Sequence, residues 1–260
     1  MAGLSVPVLI ALGLAGFVGG VGITAVGPGG VVPTIGLFAL TGLTPAQVAG
    51  TALVTHVATG ALATAAYTRS GQLREPGTRR TALVLAATAV VGTPLGVLLN
   101  SYVAERTFGL VLGVFVAGVA GLVWFRECRP AATPGAHPTH PTHPTPAVVA
   151  GPALAVAVAA GVVGIGGPML TVPLLVALGV PVLESLASAQ AQSVVIAGVG
   201  TLGYVAQGAV DWPLAALVGV PELAGVLLGW RVAHALPTRH LKYALIATLF
   251  ALAPYLVLHG

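Results

Sequence analysis

Two short glycine clusters interrupt apolar stretches of this 260-residue chain at matching places. The first reads Val26-Gly-Pro-Gly-Gly30 and the second reads Val163-Gly-Ile-Gly-Gly167. With an offset of 137 residues, residues 26–76 align with residues 163–213 without a gap, and thirteen of the 51 pairs are identical. The identical pairs include three of the glycines, a threonine, a tyrosine and a closing proline, which shared apolar composition does not explain. The chain is therefore a duplicated unit, and each copy carries a backbone break inside an apolar stretch.

The apolar stretches themselves indicate a membrane protein. Hydrophobic residues make up 57% of the chain and charged residues only 6%, whereas a soluble domain carries about 25% charged residues. Stretches of 18 or more apolar residues recur, and alternating strand-like segments are missing, so we expect an all-α protein in a lipid bilayer. The net charge of +4 comes from basic residues in loops. That pattern predicts membrane topology and no nucleic-acid partner.

The hydropathy pattern predicts three parts along the chain: a first transmembrane repeat over 1–125, a linker over 126–146 and a second repeat over 147–260. The linker is rich in His and Pro, with a histidine at every third position from His137 to His143. We expect it to be a solvent-exposed, disordered connection, with metal capture by its histidines as an open alternative. The expected apolar segments are, in order, 4–26, 31–41, 45–68, 81–99, 107–125, 147–163, 169–178, 183–206, 213–230 and 239–258.

The positive-inside rule selects between two topologies. If the opening elements, 4–43 and 147–180, each cross once, the chain has eight simple transmembrane helices and its basic residues divide six against four. If each opening element instead enters the membrane and returns to the same side as a broken hairpin, followed by three transmembrane helices, the basic residues divide nine against one. The second count is the stronger bias. We therefore predict two inverted structural repeats, with both termini outside and the basic loops cytoplasmic.

The two breaks predict an anion site. Non-helical backbone is tolerated at membrane depth only where protein shields it or where it lines a wet cavity, and matching breaks in two repeats are typical of a transporter's central site. Glycine N–H groups form anion-binding nests, and a helix that starts after a break directs its positive end at the same place. Close helix packing is the alternative role for these glycines. The predicted residues are Gly27, Gly29, Gly30, Gly164, Gly166 and Gly167.

The helix after each break carries unusual polarity for an apolar chain. Intramembrane polar groups usually face the protein interior, so we predict that they bind the substrate; hydrogen bonds between helices are the alternative. These residues are Thr51, Thr55, His56, Ser188, Gln190, Gln192 and Ser193. His56 is the only histidine in the interior of a predicted span, and Glu222 is the only acid placed at membrane depth. Both are candidates for proton coupling, although a structural histidine and a carboxylate near the membrane interface remain open.

At this point the residues resemble a known family. Each copy has a Gly-x-Gly-Gly break, a short apolar piece, a small and polar helix, and a Tyr-x(3)-Gly ending at Gly71 or Gly208. This combination is similar to the TauE/SafE family of sulfite and organosulfonate exporter-type membrane proteins. The resemblance covers nearly the whole chain apart from the linker, although Pro28 inside the first glycine run departs from the pattern. It implies transport of small sulfur oxyanions or organic anions, such as sulfite or sulfoacetate, across the cytoplasmic membrane.

These observations favour a secondary transporter that exports anions. An inside-negative potential assists anion efflux by about 2.3 kcal/mol per charge per 100 mV, and no Gly-x(4)-Gly-Lys-Ser/Thr motif for a nucleotide occurs. A passive anion channel is an alternative, as is a structural membrane protein. An intramembrane enzyme is disfavoured because His-Glu-x-x-His and Gly-x-Ser-x-Gly are both missing. We predict no cofactor and no metal, and the small-residue faces are compatible with a homodimer as well as with a single bundle.

Overall fold

The structure, a computed structural model, describes residues 4–103 and 144–237, and also residues 240, 243 and 247. Within these ranges the chain is helical and has no strand. Its α-helices are α1 (Val6–Ala25), α2 (Val31–Leu40), α3 (Pro45–Arg69), α4 (Pro76–Asn100), α5 (Pro146–Val163), α6 (Pro168–Ala177), α7 (Val182–Ala206) and α8 (Trp212–Ala235). All except α2 and α6 are long and apolar enough to cross a membrane. The predicted all-α membrane class is confirmed. The segment 107–125, most of the segment 239–258 and most of the linker lie outside the described residues.

Helix lengths repeat with the sequence duplication. The helices α3 and α7 each contain 25 residues, and their bounds differ by the same 137 residues that align the two copies. The short helices α2 and α6 contain 10 residues each. The duplication seen in the sequence is thus also present in the order and the length of the helices.

Local capping sets where two of the helices begin. The side chain of Thr44 accepts a hydrogen bond from the N–H of Gln47, whose own side chain binds the N–H of Thr44, so α3 starts with a capping box. Glu75 caps α4 by accepting from the N–H of Thr78 at 2.6 Å. Because of this cap, α4 begins at Pro76 rather than at the predicted residue 81.

Each opening helix is followed by a short helix that returns along it. The break after α1 has Gly27 at φ 111°, a conformation that favours glycine. A Cβ placed on Gly19 of α1 would lie 2.6 Å from the ring of Pro33 in α2, and one placed on Gly36 would lie 3.2 Å from the Cβ of Ala15. Later residues of α2 contact earlier residues of α1, so the two helices are antiparallel.

The second copy has the same arrangement. Its break has Gly164 in the left-handed region at φ 74°. Leu175, near the end of α6, packs in one buried cluster with Val149 and Ala153, which lie near the beginning of α5. The helix α6 therefore runs back along α5, as α2 does along α1.

The two equivalent long helices, α3 and α7, cross the core side by side in opposite directions. A Cβ on Gly50 would lie 2.8 Å from the Cβ of Tyr204, and a Cβ on Gly60 would lie 3.3 Å from Val194. Early residues of α3 thus meet late residues of α7. Glycine at these positions lets the helices approach closely.

The opening helix of each copy packs on the last described helix of the other copy. A side chain on Gly16 of α1 would overlap the carbonyl of Val218 in α8, and a side chain on Gly225 would overlap the carbonyl of Phe17. In the same way a side chain on Gly96 of α4 would overlap the α5 backbone. The copies therefore share one core, because each copy covers the opening helix of the other.

The loop after α3 and the end of α8 meet at one end of the bundle. The rings of Tyr67 and His234 have centroids 5.7 Å apart, and Gln72 Nε2 lies 3.3 Å from His234 Nε2. This end carries the basic residues Arg69, Arg74, Arg79, Arg80 and Arg231. These five arginines belong to the end of α3, the loop after it, the start of α4 and the end of α8. They therefore lie at the same end of the bundle.

Candidate functional site

The two glycine breaks are in direct contact in the interior of the bundle. A Cβ on Gly27 would lie 3.0 Å from the carbonyl oxygen of Pro168. Thr34, in the first turn of α2, donates its hydroxyl to the carbonyl of Gly164 at 3.3 Å. Residues 27–30 and 164–167 are all buried. Two segments more than 130 residues apart in the chain therefore form one irregular backbone region, as the sequence predicts for a single site.

Ile23 lies between the two breaks. Its Cδ1 would be 2.9 Å from a Cβ on Gly30 and 3.4 Å from a Cβ on Gly166. Its carbonyl accepts a hydrogen bond from Gln190 Nε2 at 2.7 Å. Ile23 is fully buried and is a contact residue of both copies that the sequence pattern did not single out.

Both short helices begin at this region. Gly30 precedes the first residue of α2, and Gly167 precedes the first residue of α6. Within the described residues, the N–H groups of Ile165 and Gly166 form no hydrogen bond. The first N–H groups of a helix carry a partial positive charge, so two helix starts that meet favour a negative ligand. At α2 the preceding 3-10 turn, Pro28–Gly30, already pairs the N–H of Val31 with the carbonyl of Pro28.

Polar side chains from the middle of α3 and α7 face the glycines. His56 Nε2 would lie 3.2 Å from a Cβ on Gly30, and Ser193 Oγ would lie 2.7 Å from a Cβ on Gly166. Gln192 Oε1 would lie 2.8 Å from a Cβ on the next glycine of the second break. The sequence alignment pairs His56 with Ser193, and the structure places both beside a glycine of their own copy.

Several of these buried polar atoms have no hydrogen-bond partner within the described part of the chain. They are His56 Nδ1, Gln190 Oε1, Gln192 Nε2 and Ser193 Oγ. Thr171 donates its hydroxyl to Gln192 Oε1 at 2.5 Å, and the NH₂ group is the unpaired end of the Gln192 amide. An unpaired buried polar group costs about 1–3 kcal/mol, so several in one place are typical of a site that binds a polar ligand.

His56 also faces the buried carboxyl group of Glu222. His56 Nε2 and Glu222 Oε1 are 3.3 Å apart, and both side chains are 0% exposed. The distance is that of an ion pair, although the angles are not those of a hydrogen bond. Glu222 lies near the middle of α8, so the structure brings the two proton-coupling candidates together. Within the described ranges, no three His, Cys, Asp or Glu side chains come together as metal ligands.

Three of the predicted substrate residues bind elsewhere. Thr51 Oγ1 accepts from the N–H of Asp211 at 3.0 Å, and Ser188 donates to the carbonyl of Thr78 at 3.3 Å. Thr55 donates to Ala52 in its own helix at 2.9 Å. These hydroxyl groups connect helices or satisfy local backbone, which is the alternative role that the sequence left open.

The glycines of the breaks have two different surroundings. A side chain on Gly29 would overlap the backbone N of Ile23, and one on Gly164 would overlap Ala49. These two glycines permit close backbone approach. Gly30, Gly166 and Gly167 instead face polar side chains, as glycines of the predicted anion site would.

Two tyrosines hold the breaks in equivalent ways. Tyr67 donates its hydroxyl to the carbonyl of Thr24, and Tyr204 donates to the carbonyl of Gly161. Their roles were not predicted, although the identical Tyr67 and Tyr204 of the repeat alignment carried the signal.

Comparison with known proteins identifies a family. A family model described as Sulfite exporter TauE/SafE matches residues 11–256 of the chain. That range includes both breaks and both polar helices. No significant match to a curated protein or to a solved structure was found.

Proposed function

This chain belongs to the sulfite exporter TauE/SafE family, and from that premise we propose that it is a secondary transporter that exports small sulfur-containing or organic anions, such as sulfite or sulfoacetate. The family consists of sulfite and organosulfonate exporter-type membrane transporters. The proposed location is the cell membrane, with the basic loops cytoplasmic and both termini outside. The proposed transport is driven by gradients across the membrane and uses no nucleotide.

The observation that carries this proposal is the meeting of the two glycine breaks. Gly30 and Gly167 each precede a short helix, and the breaks that contain them are in contact and buried. His56 and Ser193 lie beside the breaks and near the middle of 25-residue helices. In a bilayer whose core is about 30 Å thick, the middle of such a helix lies close to the midplane. This supports an anion site at the centre of the membrane.

The polar groups around the breaks suit an oxyanion. The unpaired NH₂ group of Gln192, the hydroxyl of Ser193 and the N–H groups of Ile165 and Gly166 are all donors available for acceptor oxygens. Hydrogen bonds to a charged acceptor are stronger than those between neutral groups. Sulfite and sulfonate groups carry three acceptor oxygens each, which several donors at one place can bind together.

The packing of the two copies supports alternating access. Because α3 and α7 are equivalent helices that run antiparallel, the symmetry axis that relates the copies is perpendicular to them. Such an axis lies in the membrane plane, which is the relationship of inverted repeats. The site is buried in this conformation, so the anion reaches it when one copy moves relative to the other. We propose that rocking of the repeats about the paired breaks opens the site to each side in turn.

Anion flux in proteoliposomes tests the proposed function. The purified chain is reconstituted, and uptake of sulfite, sulfate, thiosulfate, sulfoacetate and formate is measured over a range of concentrations. We expect saturable flux of at least one sulfur-containing anion. Flux that does not saturate would support a passive channel, and no flux of any anion would support a structural membrane protein.

A further inference from the structure

We propose that His56 takes up one proton each time an anion binds, and that Glu222 keeps the anion-free site neutral, so that each anion crosses the membrane with one proton. This inference rests on the proposed function, because it describes how charge is balanced at the same site. It does not depend on which sulfur-containing anion is carried.

His56 is close to both the Glu222 carboxyl group and the first glycine break. Its Nε2 lies 3.3 Å from Glu222 Oε1 and would lie 3.2 Å from a Cβ on Gly30, at the start of α2. The imidazole therefore faces the carboxyl group and the break together. A charge on the imidazole acts on both at short range, since interactions between charges are strong inside a protein and weakly screened there.

On the described helices, no other charged group shares this part of the core. The helices α1, α2, α5 and α6 contain no ionisable side chain. The remaining ionisable residues on the described helices and their caps lie toward helix ends: Tyr67, Arg69, Glu75, Arg79, Arg80, Glu184, Tyr204, Asp211, Arg231 and His234. Tyr67 and Tyr204 use their hydroxyls on backbone carbonyls, and Asp211 caps α8. Among the described side chains, only His56 and Glu222 thus contribute to the charge at the site, together with the ligand.

Charge balance couples the proton to the anion. Without an anion, one proton shared between the imidazole and the carboxyl group leaves the pair with no net charge. A bound anion adds a negative charge to an interior where an uncompensated charge is costly. If a second proton enters, His56 is an imidazolium and Glu222 remains a neutral carboxylic acid. The site with a monovalent anion is then neutral again. By linkage, the proton and the anion must each increase the affinity of the other by the same factor.

Within the described residues such a pair occurs once, with His56 from the first copy and Glu222 from the second. The repeat alignment places Ser193 at the position of His56, and the same offset of 137 residues, extended beyond the aligned range, places Leu85 at the position of Glu222. Both are fully buried, and neither side chain takes up a further proton at neutral pH. Among the described residues, the duplication therefore leaves one imidazole per chain beside the paired breaks. This sets the expected ratio at one proton for each anion, so that a dianion crosses with one net negative charge.

Simultaneous measurement of proton and anion movement tests the inference. Proteoliposomes that contain a pH-sensitive dye are given an outward gradient of thiosulfate, sulfate or sulfoacetate, which do not buffer near neutral pH, and the potential is clamped with valinomycin and K⁺. For sulfite, which buffers, proton uptake on binding is counted by calorimetry in two buffers of different ionisation enthalpy. Wild type is compared with His56→Asn and Glu222→Gln.

We expect one proton per anion in wild type and in Glu222→Gln, which keeps the imidazole. We expect no proton in His56→Asn, together with an anion affinity at least tenfold weaker or lost. A purely structural ion pair would instead make the two variants behave alike. A wild-type ratio of zero, a ratio of one that persists in His56→Asn, or loss of anion flux in both variants overturns the inference. Anion flux without protons leaves the proposed function standing, whereas absence of any flux in wild type removes both.

Discussion

Tyr67 and Tyr204 lie at equivalent positions of the two copies and bind equivalent carbonyls. The Tyr67 hydroxyl is 2.6 Å from the carbonyl oxygen of Thr24, and the Tyr204 hydroxyl is 2.7 Å from that of Gly161. Each carbonyl lies three residues before the first glycine of a break and in the last turn of an opening helix, where carbonyls have no partner within the helix. The same bond therefore fixes both breaks to the long polar helices.

Replacement of either tyrosine by phenylalanine tests this bond. Tyr67→Phe and Tyr204→Phe each leave a buried carbonyl unpaired, and we expect a loss of about 1–3 kcal/mol in the free energy of unfolding. Denaturation in detergent measures the loss. Tyr102→Phe is the control because Tyr102 is 88% exposed, and it should unfold as wild type does. Equal stability of all three variants would show that the tyrosines do not hold the breaks.

Gly166→Ala tests the second break. Its added Cβ would lie 2.7 Å from Ser193 Oγ, which is a side-chain atom that can move, so we expect the fold to survive. The methyl group then occupies the space between the break and the donors, and anion affinity should fall at least tenfold. Gly198→Ala, also in a membrane-spanning part of the second copy, is the control because an added Cβ there meets nothing within 4 Å. An anion KM that is unchanged in Gly166→Ala would place the ligand elsewhere.

Ile23→Ala tests the side chain that separates the breaks. Loss of a buried isoleucine costs about 2–5 kcal/mol of stability. The space it leaves lies next to Gly30 and Gly166, so the variant should carry larger organic sulfonates faster relative to sulfite. Leu12→Ala, a fully buried residue of the same helix, should reduce stability without this change. Unaltered relative rates in Ile23→Ala would show that Ile23 does not limit the site.

Cysteine labelling tests the inverted arrangement. In a background that lacks the native Cys128, a cysteine at Arg74 and one at Arg231 should react with a membrane-impermeant reagent from the same, cytoplasmic side. A cysteine at Tyr102, beyond the other end of α4, should react from outside. The expectation follows from the contact between the loop after α3 and the end of α8. Labelling of Arg74 and Arg231 positions from opposite sides would restore eight simple crossings.

The sequence predicted the parts of the fold that depend on local patterns. Apolar length identified the helices, and the aligned glycines identified both breaks before any contact was known. The sequence also predicted that the polar residues of α3 and α7 face the protein interior, and His56 and Ser193 are fully buried. Helix starts were less accurate, as in α4, because the cap by Glu75 lies outside the apolar run.

Contacts between distant segments were beyond sequence reasoning. His56 and Glu222 are 166 residues apart, and no spacing rule relates positions on helices from different copies. For the same reason Gly29 and Gly166 look alike in the sequence, although one approaches backbone and the other approaches the Ser193 hydroxyl. Ile23 was missed because an isoleucine in an apolar helix carries no distinguishing pattern.

The most direct test of the anion site is the KM for sulfite in Ser193→Ala. Ser193 Oγ has no hydrogen-bond partner within the described residues, so its removal should leave stability unchanged. Loss of one hydrogen bond to a charged ligand, about 1.5–3 kcal/mol, should raise KM roughly ten- to a hundredfold. Thr201→Val removes another unpaired hydroxyl from the same helix, away from the breaks, and its KM should equal that of wild type. A wild-type KM in Ser193→Ala, or equal effects in the two variants, would contradict an anion site at the paired breaks.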